Sequence, residues 1–143
     1  MREDLTYPRA DAIRSVLQKI GVQPSTRFDC LSQDAEYTTC MLDELEQYIE
    51  LYEKSDTTIY EKRVLGCYFL ESLNEYFQLN GSPHPKQEHA FRLLHYDKEV
   101  YGAELEYWTD TSDPIEDNWW PITKEILTWR ATQPGSPPDA ARR

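Results

Sequence analysis

The stretch "TIYEKRVLGCYFLESLNEYFQL", residues 58–79, limits the possible folds more than any other part of the chain. Val64, Leu65, Cys67, Tyr68, Phe69, Leu70, Leu73, Tyr76 and Phe77 spread apolar surface over most of a helix circumference. A helix apolar on nearly all sides is stable only where other elements cover it, so this one is expected in the middle of a helical bundle. Asp56 or Thr57 can cap its start. Asn80-Gly81 ends it, and Pro83 and Pro85 prevent continuation. Gly66, lying inside the run, is read as a close crossing with a neighbour.

The flanking segments supply the cover. Pro8 suits a first helical position, and Ile13, Val16, Leu17 and Ile20 share one helical face before Gly21 stops the helix. Residues 22–33 form a connector, with Phe28 and Leu31 placed to pin it to the core. A second helix is expected from Ser32 or Asp34 to about Lys54, with Tyr37, Met41, Leu45, Tyr48 and Tyr52 on its apolar stripe. A further helical pattern starts near Pro85. It either persists to Trp108, a length of roughly 36 Å, or breaks near Tyr96-Asp97. Ile122, Ile126 and Trp129 mark a last short helix over 121–131. No alternating strand pattern and no internal repeat occurs. The expected fold is an all-α, single-domain bundle of about five helices over 8–131, with a loose segment 1–7 and a disordered Pro-rich tail 132–143.

Composition bounds the partners. The 143 residues suit one domain. Twenty-six acids against fifteen bases give a formal charge of −11, which argues against nucleic acid and anionic membrane as partners. The same charge favours a basic protein partner, or solubility alone. Cys30, Cys40 and Cys67 show no paired spacing, so reduced thiols are expected. No secretory signal and no run of 18 apolar residues is present, which predicts a soluble, cytoplasmic protein.

Two acidic clusters stand out. Asp43, Glu46 and Glu50 align on the outer face of the second helix, with Glu53 close by, and residues 34–56 hold eight acids and one base. Asp110, Asp113, Glu116 and Asp117 lie between Trp108 and the pair Trp119-Trp120. Each cluster has a plain reading. The helix face can be simply solvated, and the loop can be a turn at Ser112-Asp113-Pro114 followed by a short turn, capped by Asp117 or Asn118, that enters the last helix. At least one of Trp119 and Trp120 is then expected in the core. Each cluster can equally meet basic groups on a partner. A calcium loop beginning at Asp110 would need a glycine at its sixth position, where Ile115 stands, and Pro114 offers no side-chain oxygen. Glu88, His95 and Glu99 fall near one face of a continuous helix, an arrangement open to a metal or a proton shuttle. No serine or cysteine sits in a nucleophile motif, and no phosphate-binding glycine loop is present. No cofactor is expected.

With "VLGCYFLESLNEYF" and "AELEYWTDTSDPIEDNWWPI" in a small acidic chain, the sequence resembles the immunity proteins encoded beside bacterial polymorphic or secretion-system toxins. The resemblance implies a cytoplasmic, non-enzymatic inhibitor that binds a toxin domain and blocks its active site or substrate groove. On that reading Asp43, Glu46, Glu50, Glu53, Asp110, Asp113, Glu116 and Asp117 steer a basic partner, and Trp119 supplies an anchor worth on the order of 2 kcal/mol. The alternatives are a metal-dependent or acid–base helical enzyme using Glu88, His95 and Glu99, and a helical adaptor. Oligomeric state stays open.

Overall fold

Residues 59–80 form the long helix that the apolar run requires. In the computed structural model, which describes residues 5, 8–27 and 40–133, six α-helices occur: α1 (Ala10–Lys19), α2 (Leu45–Tyr52), α3 (Ile59–Asn80), α4 (Gln87–Tyr96), α5 (Gly102–Trp108) and α6 (Thr123–Ala131). Short 3₁₀ turns cover Pro24–Thr26, Leu42–Glu44 and Glu116–Asn118, and the described residues contain no strand. The fold is therefore an all-α bundle, and the described residues hold six helices against the expected five or so. The extra helix arises because the pattern from Pro85 to Trp108 breaks after Tyr96, and a turn over 97–100 separates α4 from α5.

Helix α3 sits at the centre, with Val64, Leu65, Cys67, Tyr68, Phe69, Leu70 and Leu73 fully buried. Its start is a capping box: the Thr58 hydroxyl accepts from the Glu61 amide, and the Glu61 carboxylate accepts from the Thr58 amide. The expected caps, Asp56 and Thr57, serve otherwise or not at all. Thr57 is buried and donates to the Leu51 carbonyl instead. Gly81, at φ 70°, closes the helix in the left-handed conformation.

Helix α1 packs on the first half of α3 through Ala12, Ile13, Val16 and Leu17. It begins at Ala10 rather than Pro8, and Gly21 follows it at φ 84°. Glu61 ties the two helices together, accepting from Ser15 and pairing with Lys19 at 2.9 Å. Helix α2 covers a second side of α3, with Tyr48 against Tyr68 and Tyr52 against Phe69.

The stripe expected along one long second helix is shorter than it looks. Met41 is extended and exposed, so no helix passes through it, and the α-helix starts only at Leu45. What holds this junction is polar: Arg27 donates to both Glu44 carboxylate oxygens at 2.5 and 2.6 Å, Tyr48 donates to Glu44, and the Met41 amide donates to the Tyr48 hydroxyl. The proposed helix start at Ser32 or Asp34, with Phe28, Cys30, Leu31 and Tyr37, lies outside the described residues, as do 1–7 except Leu5 and the tail beyond Gln133.

Helices α5 and α6 close the remaining side. Tyr101, fully buried just before α5, lays its ring on Gly66, which is the close crossing that glycine signalled. Its hydroxyl donates to the Lys62 carbonyl and lies 2.9 Å from the Tyr52 hydroxyl, which donates to Asp97. Beneath α5, Arg63 and Glu104 form an ion pair at 2.9 Å with both side chains about 3% exposed. The Trp108 indole N–H donates to the same carboxylate at 2.8 Å, and the Arg63 Nε donates to the Leu5 carbonyl.

Candidate partner-binding surface

The two acidic clusters lie on separate elements, and no hydrogen bond or ion pair joins them among the described residues. On α2 and its flanks, Asp43, Glu46, Glu50 and Glu53 are all exposed. Glu53 lies 3.1 Å from the His89 Nε2 on α4. Glu46 stands near enough to His84 to oppose the burial that lowers the pKa of that ring. Glu50 flanks a shallow hollow with Lys19 and Lys54. The strip is thus edged by histidines on one side and lysines on the other, with its carboxylates in water.

The loop between α5 and α6 organises itself. Asp110 accepts from the Ser112 amide and Asp113 accepts from the Ile115 amide, both at 2.9 Å, so each forms an Asx turn. The second oxygen of Asp113 accepts from Asn118 at 2.9 Å. These bonds hold both carboxylates below the usual range, and both remain open to water. Glu116 pairs with Lys124 of α6. Of the four loop acids, Asp110, Asp113 and Glu116 therefore bond to the protein itself. Asp117 is exposed, and its charge is felt at Lys124.

The start of α6 is set by tertiary contacts. The Ile122 amide donates to the Asn74 side chain of α3 at 3.1 Å, and the Thr123 hydroxyl donates to the Trp108 carbonyl at 2.7 Å. Asn118 is engaged with Asp113, and neither it nor Asp117 caps α6.

The tryptophans divide their roles differently from the expectation. Trp108 is the buried one, at 1% exposure. Trp119 is half-buried, and its indole N–H donates to the Asp113 carbonyl at 2.8 Å, which ties the loop to its own turn. Trp120 is 42% exposed and rests on Trp108 and Tyr107, with ring centroids 5.3 and 5.7 Å away. Tyr107 is itself 45% exposed and meets Trp108 edge-on at 5.2 Å. A step of two exposed rings thus stands on a buried one, beside the acidic loop. The sequence reading weighed Trp120 only as a loop or core anchor and did not single out Tyr107. The signal available was Trp-Trp-Pro: an extended backbone turns consecutive side chains to opposite sides, so both indoles do not enter one core.

Catalytic alternatives find little geometry. Helix α4 ends at Tyr96, so Glu99 does not continue the face of Glu88 and His95. Glu88 lies 3.9 Å from Arg92, while His95 meets the Trp129 ring edge-on. Among the described residues no three His, Cys, Asp or Glu side chains are grouped to hold a metal ion. Cys40 is partly buried against the core, and burial pushes its thiol up to about 12. Cys67 is buried in the core. No described helix is long and apolar enough to cross a membrane. In comparisons with known proteins, no family model, curated protein or solved structure matches the chain.

Proposed function

We propose that the chain is a non-catalytic, protein-binding inhibitor of a basic partner, and that it acts in the cytoplasm as an immunity protein against a cognate toxin domain. The observation that carries this reading is the Trp120–Tyr107 step: exposed aromatic surface seated on buried Trp108 beside a carboxylate loop fixed by its own hydrogen bonds. Aromatic side chains at such places supply most of the energy of protein interfaces, and a loop already ordered loses little entropy on binding. The acids of α2 and Asp117 raise the encounter rate with a basic surface, and the aromatic step then slows dissociation. Seated over the partner's active site or substrate groove, such a complex excludes the substrate.

The loop geometry decides which substitutions test this. Reversing Asp113 or Glu116 would unmake the loop, so a loss of binding there would say nothing about contact. Trp120→Ala and a Glu46→Lys/Asp117→Lys pair leave the loop's own hydrogen bonds in place. Binding is to be measured by surface plasmon resonance against the toxin domain encoded by the adjacent gene. The expected outcome is a one-to-one complex in which Trp120→Ala speeds dissociation roughly thirtyfold, matching an anchor of about 2 kcal/mol. The charge pair should slow association, most strongly at low salt. A complex indifferent to salt and to both variants would place the interface elsewhere and remove this reading.

A further inference from the structure

A groove of about 520 Å³ opens between α4, α5 and α6. Phe91, Leu94, Leu105, Ile126 and Trp129 line it with apolar surface. Trp129 meets Phe91 and His95 edge-on, at 5.7 and 5.5 Å between centroids, so that wall is set before anything enters.

The groove adjoins the Trp120–Tyr107 step. Glu106 and Thr109 line the groove, and the same two residues line the hollow on the next face of α5, where Tyr107 and Asp110 stand. The two depressions therefore meet across one low ridge, and the surface runs on from Trp129 through Tyr107 to Trp120. Area argues that a partner uses both. Less than half of the Trp120 and Tyr107 surface is open to solvent. Aromatic side chains bury about 150–250 Å² each, so the step offers roughly 200 Å² at most. A stable interface takes about 800 Å² from each side.

Charge decides how a partner lies there. Glu106, on the ridge, forms no ion pair among the described residues. Asp110 adds a second carboxylate in the hollow, whereas Lys98 lines the groove and not the hollow. We infer that the basic partner lies across α5 and seats one large apolar side chain in this groove, with a lysine or arginine of the same segment meeting Glu106 on the ridge. The inference rests on the function proposed above and gives that complex a second anchor. Lys98 repels the base from the groove side, and the two carboxylates draw it toward Tyr107, so the segment has one orientation.

Gly102 allows the groove to be filled without disturbing its floor: it lines the groove, is exposed, and a Cβ on it would meet no atom within 4 Å. Gly102→Trp brings an indole to the groove, Gly102→Ala adds a methyl alone, and Glu106→Lys reverses the ridge. Each variant is checked for a melting temperature equal to the parent's and measured by surface plasmon resonance against the toxin domain encoded by the adjacent gene. Gly102→Trp should speed dissociation at least about tenfold and Gly102→Ala should leave it unchanged. Glu106→Lys should slow association and speed dissociation. Cross-saturation from the unlabelled toxin domain to the Trp129 indole N–H of the ²H,¹⁵N-labelled chain reads the same contact with no substitution in the groove, and that peak should lose intensity in the complex. Gly102→Trp that folds and dissociates like Gly102→Ala, or a Trp129 peak untouched by saturation, would overturn the inference. If Trp120→Ala still speeds dissociation in that case, the proposed function stands without the second anchor. No complex, or one indifferent to Trp120→Ala as well, would remove both.

Discussion

A glycine inside a buried helix costs about 1 kcal/mol relative to alanine, so Gly66 needs a reason to stand where it does. The reason is the ring of Tyr101. A Cβ on Gly66 would come within 2.8 Å of both Cδ1 and Cζ of that ring, with Cε1 nearer still. The ring has nowhere to retreat, because its hydroxyl is bonded to the Lys62 carbonyl and the residue is fully buried. Gly66→Ala should therefore destabilise the fold by about 1–3 kcal/mol in urea denaturation, even though alanine is the better helix former. The clash belongs to a pair, so Gly66→Ala combined with Tyr101→Ala should cost less than the sum of the two single changes. Strict additivity would show that the two residues do not press on each other. That Gly66 marked a crossing could be read from its place in an apolar run, whereas Tyr101 could not be read as its partner. Nothing local distinguishes a tyrosine bound for a glycine from the chain's nine others.

At the level of the elements, periodicity carried the reading where burial is one-sided and faltered where polar groups set the boundary. The central helix and the face of Ile13, Val16 and Leu17 emerged with nearly correct limits, since their apolar spacing is also their packing. The continuous second helix was not realised, because Arg27, Glu44 and Tyr48 hold an extended segment at Met41, and helical spacing is blind to such a clasp. The Arg63–Glu104 pair was not foreseen for a related reason, as a charged residue on a helix reads as solvent-facing until the fold buries it.

Such polar clasps also set how stability depends on pH. In the folded state Glu44 sits below its ordinary 4.5, chiefly through Arg27. Glu61 also sits below it; burial pulls upward but is outweighed by Lys19, Ser15 and the Thr58 amide. A depressed carboxylate contributes stability that is present above its unfolded pKa and is lost as pH falls through the folded one. Glu71 runs the other way, since burial and the nearby Glu75 and Glu104 raise it. Its ionised form destabilises the fold at neutral pH, and that penalty is relieved as the group takes up a proton above 4.5. Stability measured by urea midpoint should thus rise as pH falls from 7 toward about 5, then drop below about 4 as Glu44 and Glu61 are protonated. Glu71→Gln should flatten the rise and leave the drop. A rise of the same size in that variant would assign it to the acidic surface as a whole.

Over the whole molecule, a net charge of −11 means that the folded surface repels itself, and the α2 strip concentrates that repulsion at Glu46 and Glu50, which stand one turn apart. Replacing both with Lys removes the like-charge pair. It also lowers the net charge from −11 to −7, since each change adds two units. If the strip only faces water, the Glu46→Lys/Glu50→Lys variant should be neutral or more stable, by a few tenths of a kcal/mol, with nothing lost. If the strip steers a basic partner, the same variant should gain stability and lose association rate together, because a surface kept for binding is not the surface best for folding. The two readings therefore separate on one protein measured twice, by thermal unfolding at low and physiological salt and by association kinetics. The proposed function requires the second outcome: a melting temperature at or above that of the parent chain at low salt, with slower association whose deficit shrinks as salt is added. Slower association accompanied by a lower melting temperature would point to damage in α2 and would leave the strip without a steering role.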